Sequence, residues 1–280
     1  MKISIIGTGL IGGSLAIALK RNGFASHITG FDSHRENLDK AVQLHLVDEA
    51  SSLESAVKSA ELIILAIPVN AIHSLLPAVL GLVNGSQVVM DMGSTKQLIC
   101  EAVELHPMRS RFVATHPMWG TEKSGPEAAV SEAFTGRTVV FCEKHRSASD
   151  ALQTVKNLYQ SIGMIDIEMD AKSHDMHVAY VSHVSHLASY ALALTVLEKE
   201  KEEDAIFLLA SGGFESTVRL AKSPASMWVP IFQQNRNYVL DVLNEHIHQL
   251  KQLKKMIEME EYDTLEKLIR QANEIERILK

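Results

Sequence analysis

Apolar positions follow two different rhythms along this chain. Up to about residue 169, short apolar or β-branched runs alternate with stretches whose apolar residues recur every three to four positions. Lys2–Ile6, Ile28–Phe31, Leu62–Pro68, Gln87–Asp91, Arg111–Thr115, Thr138–Cys142 and Met164–Glu168 read as strands. The Leu62–Ile67 run is apolar without interruption, as in a central parallel strand covered on both faces. Helical patterns fill the intervals, among them Leu10 to about Asn22 and Val69 to about Val83. Strand alternating with helix predicts an α/β fold with a doubly wound parallel sheet over residues 1–169. From Ala171 the strand signals vanish. Long helical patterns with charged faces follow, broken at Ser211–Gly213 and Ser223–Pro224, so residues 170–280 are expected to form an all-α second domain.

The end of that second domain pairs two apolar stripes across a break at Glu260–Asp263. Leu243, Ile247, Leu250, Leu253 and Ile257 make the first; Leu265, Leu268, Ala272, Ile275 and Leu279 make the second. One stripe folds back on the other, and the face left over predicts burial on a second subunit, giving a homodimer. The alternative is a monomeric helical cap that satisfies its stripes internally.

The first strand breaks at a glycine and runs straight into a helix through Gly7-Thr8-Gly9-Leu10-Ile11-Gly12. In a dinucleotide-binding Rossmann turn, Gly7 permits the bend, Gly9 lets backbone approach a pyrophosphate and Gly12 lets helix lie close on strand. The free N–H groups at Leu10 and Ile11 then face the phosphates. Asp32 ends the next strand, about twenty residues past the last glycine, where a carboxylate accepts ribose hydroxyls. Such a carboxylate repels a 2′-phosphate and favours NAD over NADP. His34 and Arg35 are the counter-argument, since a guanidinium there either holds that phosphate or is simply helix surface. A merely structural glycine turn is the competing reading.

Composition narrows the class further. The formal charge of −7 over 280 residues is spread among interspersed acids and bases, so neither nucleic acid nor a membrane surface is an expected partner. Cys100 and Cys142 have no metal-ligand spacing and form no disulfide framework, as in a reduced cytoplasmic protein. No leader pattern precedes the first strand and no apolar run reaches membrane length, so the expectation is neither export nor insertion.

In doubly wound sheets ligands bind beyond the carboxyl ends of the strands. Two candidate loops leave those ends, Gly93-Ser94-Thr95-Lys96 and His116-Pro117-Met118-Trp119-Gly120. An imidazole at His116 can face a nicotinamide and exchange a proton near neutral pH, as oxidation of a carbinol requires. As a structural loop histidine it would do neither. His106-Pro107-Met108 repeats the dipeptide at the other end of the strand, where an inert histidine is expected. Ser94 either bonds the reacting hydroxyl, orients His116, or caps the helix that follows. Lys96 is expected as a solvated or cofactor-edge charge. His174, His177, His183 and His186 share one predicted helix, but nine residues between equivalent members place the pairs on opposite faces of a regular helix, so no metal site of all four is expected, the alternative being an ion held by a single i,i+3 pair. Arg219, among small and apolar residues, suits bidentate capture of a carboxylate, with a structural ion pair as the alternative.

Taken in order, Gly93-Ser94-Thr95-Lys96, His116-Pro117-Met118-Trp119-Gly120, His174-Asp175, Ala179, Ser182-His183, His186, Gly212-Gly213-Phe214, Arg219-Leu220-Ala221-Lys222-Ser223-Pro224 and Met227-Trp228 resemble the prephenate/arogenate dehydrogenase family of tyrosine biosynthesis. The resemblance implies an N-terminal Rossmann domain followed by an all-α dimerisation domain. It implies oxidative decarboxylation of prephenate to 4-hydroxyphenylpyruvate with hydride transfer to NAD, arogenate being the close rival substrate. By the same resemblance His116 is the catalytic histidine, Ser94 positions it and the substrate hydroxyl, and Arg219 grips a substrate carboxylate. His186 contacts the substrate from the helical domain, and His183 matches a second family histidine. Val184-Ser185 replaces an expected Leu-Pro, which predicts an unkinked helix, and Ser211 stands where a third glycine often lies. No mutase or regulatory domain follows the hairpin in this sequence, so inhibition by tyrosine is expected to act at the active site. Two other functions fit the two-domain plan: a hydroxyacid or imine reductase, which does not need the Arg219 and His186 pair, and a non-catalytic NAD-sensing dimer, which tolerates loss of His116.

Overall fold

The computed structural model describes residues 1–201 and 203–278; Leu279 of the second stripe lies outside them. The chain begins β1 (Lys2–Ile6), α1 (Leu10–Arg21), β2 (His27–Phe31), α2 (Arg35–Gln43), β3 (Glu49–Ala50), α3 (Leu53–Ser59), β4 (Leu62–Leu65), α4 (Val69–Leu82), β5 (Val88–Asp91), α5 (Gln97–Glu101) and β6 (Phe112–Pro117). Then come β7 (Thr138–Cys142), α6 (Ser149–Ser161) and β8 (Ile165–Met169). They form one eight-stranded sheet in the order β3-β2-β1-β4-β5-β6-β7-β8.

The two-residue side-chain period of a strand explains why its central members are apolar throughout. Ile3 and Ile5 of β1, with Leu62 and Ile64 of β4, enter the core on one face of the sheet; Ile6, Ile63 and Leu65 enter the core on the other. The chain leaves β1 towards β2 on one side and returns to β4 on the other, so the glycine turn after β1 lies where strand order reverses.

All neighbours pair in parallel except β6 and β7, which run antiparallel with Pro117 opposite Val139. Strand β6 extends two residues past its expected end, so His116 belongs to the strand rather than to a loop. The segment 118–137 leaves β6 at its carboxyl end and folds back over α1, where Val130 N–H donates to Ser14 Oγ at 3.0 Å.

Asp170 follows β8 directly and caps α7 (Ala171–Val178), its side chain accepting from Ser173 N–H. A π-helical turn (Ala179–His183) joins α7 to α8 (Val184–Glu200), followed by α9 (Gly212–Val218), α10 (Ala225–Gln234), α11 (Arg236–Glu258) and α12 (Tyr262–Ala272). Three sequence expectations change here. The π turn interrupts the helix expected to be regular, Gly212-Gly213 opens α9 instead of breaking a helix, and the final break falls at Met259–Glu261. Among the described residues no helix is long and apolar enough to cross a membrane.

Candidate active site

The glycine turn is shaped by close approach. Gly7 has φ +97°, and a Cβ there would lie 2.4 Å from Ala66 O; one on Gly12 would lie 2.0 Å from Gly7 O. At Gly9 an added Cβ would meet nothing within 4 Å, so the turn is open on that side alone. Helix α1 has no side-chain cap and no acid in its first turn, which leaves its leading N–H groups, Leu10 and Ile11 among them, for an anion. Asp32 is fixed beside this opening: its Oδ2 accepts from Thr8 N–H at 2.9 Å and from Thr8 Oγ1, and its Oδ1 accepts from His34 N–H at 2.9 Å. Arg35 turns to Asp39 at 2.8 Å on the helix surface. An open cradle at Gly9 beside uncapped N–H groups and a held carboxylate fits a dinucleotide.

Deeper in the sheet, Lys96 overturns its expected role. It is fully buried, its Nζ paired with Asp91 and donating to Thr115 O at 2.7 Å. Asp91, the last residue of β5, meets it. Asp91 also accepts from Gly93 N–H at 2.9 Å and Thr115 N–H at 3.1 Å, so one carboxylate fastens the turn after β5 to the strand that carries His116. A charge so enclosed is structural, because an unpaired ammonium there would be untenable.

His116 projects from β6 against the helical half. Its Nδ1 lies 2.8 Å from His174 Nε2, and His174 Nδ1 lies 2.7 Å from Asp175 Oδ1. Asp175 also accepts from Lys96 N–H at 2.7 Å and Gln97 N–H at 2.9 Å, which caps α5 from the other domain. The partners assign the protons. A carboxylate accepts only, so His174 carries its proton on Nδ1 and presents the Nε2 lone pair. His116 therefore donates from Nδ1, and its Nε2 is left as an acceptor with no protein partner among the described residues. Burial, the largest cause, together with the neighbouring His174, Lys96 and His183, holds the His116 imidazole well below the ordinary histidine value, so it is neutral at pH 7.

The helical half places its histidines differently from the sequence expectation. His174, His183 and His186 are buried, whereas His177 is exposed and bonds Ser173 O. His174 and His183 are both buried on the interior side: Asn235 Nδ2 donates to the carbonyl of Asp175, the residue next to His174, at 2.7 Å and to His183 Nδ1 at 3.1 Å. The nine-residue count assumed α-helix throughout. The wider π turn at Ala179–His183 advances fewer degrees per residue and brings His183 round towards His174. Among the described residues no three His, Cys, Asp or Glu side chains are grouped to hold a metal ion.

His186 stacks on Trp228 with ring centroids 3.4 Å apart, and its Nδ1 donates to Ser182 O at 3.1 Å, leaving Nε2 as an acceptor. The Trp228 indole N–H is buried without a partner among the described residues. Ser94 is half-buried, and its hydroxyl makes no hydrogen bond among the described residues, so it neither orients His116 nor caps α5 here. Arg219 is 53% exposed and donates to Glu122 Oε2 at 3.1 Å. Glu122 lies in the segment that leaves β6 after His116, so the half-exposed guanidinium is held at that segment.

Sequence reasoning missed Asp91, Gln234, Asn235 and the function of the His174–Asp175 step. The adjacent His-Asp dipeptide was a signal for the last. For Gln234 and Asn235 no local pattern exists, since their partners lie 139 and 60 residues away along the chain.

Comparison with known proteins agrees with this geometry. Residues 15–166 match the family model described as prephenate dehydrogenase, nucleotide-binding domain, and residues 170–271 match the one described as prephenate dehydrogenase, dimerization domain. The chain is 30% identical to prephenate dehydrogenase of Bacillus subtilis over 97% of its own length and 74% of the relative's. It is 29% identical to cyclohexadienyl dehydrogenase of Zymomonas mobilis, covering 94% and 90%. Among solved structures, prephenate dehydrogenase of Aquifex aeolicus in complex with hydroxyphenyl propionate and NAD+ superposes with a TM-score of 0.90 at 29% identity, covering 99% of this chain and 97% of that one. Synechocystis arogenate dehydrogenase does so with a TM-score of 0.79 at 28% identity over the full length of both. A sheet and a helical half matched along nearly their whole length, by sequence and by structure together, place the chain in the prephenate dehydrogenase family of oxidoreductases.

Proposed function

We propose that the protein oxidises prephenate with NAD+, releasing carbon dioxide and forming 4-hydroxyphenylpyruvate. The observation that carries this reading is the His116–His174–Asp175 chain, which leaves one unpartnered imidazole nitrogen at the carboxyl end of β6, between the two halves. The bound nicotinamide supplies the hydride acceptor. His116 Nε2 accepts the proton of the ring hydroxyl as the carbinol carbon loses hydride and becomes a carbonyl. The ring carboxylate is then vinylogously β to that carbonyl. Its C–C bond breaks, the electron pair enters the ring, and the phenolate oxygen that forms takes the proton back from His116. The imidazole is thus a lender of one proton, with none released overall. Asp175 stabilises the transient imidazolium through His174, and desolvation at His116 returns it promptly to neutral.

Ser94 offers a free hydroxyl to the substrate hydroxyl, and Arg219 offers its guanidinium to a carboxylate in exchange for part of its bond to Glu122. His186 and His183 line the helical wall. The Leu10 and Ile11 amides and the Gly7, Gly9 and Gly12 cradle take the pyrophosphate, and Asp32 the ribose hydroxyls. NAD over NADP is supported by Asp32 at the cradle and by Arg35 being engaged with Asp39. A unit boundary between residues 169 and 170 is supported by the change there from β8 to the Asp170 cap of α7. A homodimer is supported by the apolar face left open on α11 and α12, where Leu250 is 52%, Ile257 56% and Ile269 50% exposed.

Initial rates with prephenate and with arogenate, each with NAD+ and NADP+, test the reading. Prephenate with NAD+ is expected to give the highest kcat/KM. Inactivity in all four combinations would end it, and preference for arogenate would move the assignment to the rival substrate.

A further inference from the structure

Helix α10 ends in two adjacent amides that reach in different directions. Gln234 Nε2 donates to Val69 O at 2.8 Å, and Gln234 Oε1 accepts from Thr95 Oγ1 at 2.8 Å. Val69 opens α4 just after β4, and Thr95 lies in the turn after β5. One side chain of the helical half therefore holds the loops that leave two neighbouring central strands. Asn235 reaches the other way, to Asp175 O and His183 Nδ1. The Asn235 bonds are buried and those of Gln234 part-buried, with Val69 and Thr95 themselves buried, so the groups they satisfy are costly to leave unpaired. The proton and hydride steps above use neither amide.

The same helix carries Trp228, stacked on His186 and edge-on to His183 at 5.8 Å. A ligand seated between that wall and Arg219 bears on α10, and α10 bears on the Val69 and Thr95 loops through Gln234. Loops after β4 and β5 border the cofactor groove of a doubly wound sheet.

We infer that Gln234 is a positioning residue that couples the two ligand sites: occupation of the helical wall fixes α10, and Gln234 then fixes the Ser94–Thr95 turn and the start of α4 against the cofactor. By linkage the coupling is reciprocal, so the dinucleotide tightens the substrate site by the same factor. This inference rests on the proposed assignment of the two sites. A glutamine that merely glues the halves together predicts lower thermal stability with the coupling intact.

The test is calorimetric titration of the full chain with hydroxyphenyl propionate, in the absence and presence of saturating NAD+. The wild type is expected to bind the acid more tightly with NAD+ present, by a factor in the usual range of about 5 to 150. Gln234→Leu removes both bonds at nearly constant volume. It is expected to bring the ratio to within about twofold of unity while each single-ligand Kd changes by less than about threefold. Thr95→Val removes one bond, leaves Gln234 on Val69, and is expected to lose part of the coupling; it decides the matter if Gln234→Leu does not fold. A wild-type ratio of one, or a wild-type ratio retained in whichever of the two variants folds, overturns the inference. Failure of the wild type to bind either ligand or to oxidise prephenate or arogenate instead overturns the proposed function, and the coupling assignment with it.

Discussion

The two halves of the chain differ in how far they bury themselves. From Ile3 to Met164, apolar residues close into two continuous cores, one on each face of the sheet, and all of Leu62–Leu65 is inaccessible. Beyond Ala171 the buried apolar residues among those described dwindle to Val178, Ala179, Trp228, Ile231, Val239 and Val242, while Leu194 stays 66% exposed. Ala171, Trp228 and Ile231 belong to a core of the first half, so much of what is buried in the helical half is buried by docking. The cleft inherits this contrast. Its sheet wall is finished, with Asp91 and Lys96 locked in a closed network and His116 held by His174 of α7; its helical wall is buried at His183, His186 and Trp228 but open at Arg219, with no buried residue in α9 or in the turn after it. Under the proposed function, chemistry belongs to the preorganised side around His116 and recognition to the open side around Arg219.

Four measurements sharpen or break that division. His116→Asn removes the base from the finished wall and is expected to lower kcat by about 10²- to 10⁴-fold in steady-state assays with prephenate and NAD+. A drop below about tenfold would mean that the chemistry sits elsewhere. Arg219→Ala acts on the open wall. A charge-assisted carboxylate contact of about 1.5–3 kcal/mol corresponds to roughly a 10- to 150-fold loss in kcat/KM, expected mainly in KM. A loss confined to kcat would erase the distinction between the walls.

The third measurement is stability against pH. Burial, the largest cause, lowers the His183 pKa to about 4. The unfolded chain with its ordinary histidine binds a proton first as pH falls, so stability is complete above about pH 6.5 and declines below it. At pH 5 the loss from His183 alone is about 2 kcal/mol, with His116, His174 and His186 shifted in the same direction. A Tm that does not fall between pH 7.5 and pH 5 would contradict the buried neutral histidines. The smallest effect is expected at the cofactor edge. Asp32→Asn keeps the shape but removes the charge, and the ratio of NAD to NADP use should fall by roughly fivefold, about 1 kcal/mol. An unchanged ratio would remove Asp32 from cofactor choice.

Most of the sheet half could be read from the sequence because its signals are local. An unbroken run such as Leu62–Leu65, or a glycine placed directly after a strand, has few physical alternatives. The class of the helical half was equally legible, and so was its unpartnered apolar face. The departures arise where long-range partners decide. Lys96 looked like a surface charge until Asp91 and the Thr115 carbonyl came to meet it. The face shared by His174 and His183 depends on a π turn that leaves no mark in a 3.6-residue count. Arg219 reads as a carboxylate clamp among apolar neighbours, yet half its surface is open and Glu122 holds it.

The enclosed pair at the ends of β5 and β6 has a genetic consequence. Asp91 satisfies two backbone amides as well as the ammonium, whereas Lys96 answers only to Asp91 and one carbonyl. In a saturation library, codon 91 should therefore be close to invariant, and codon 96 should admit little beyond another cation, since loss of the ammonium strands an inaccessible carboxylate. Changes at 91 should survive only alongside a compensating change at 96, making the two codons travel together through any selection for a working enzyme.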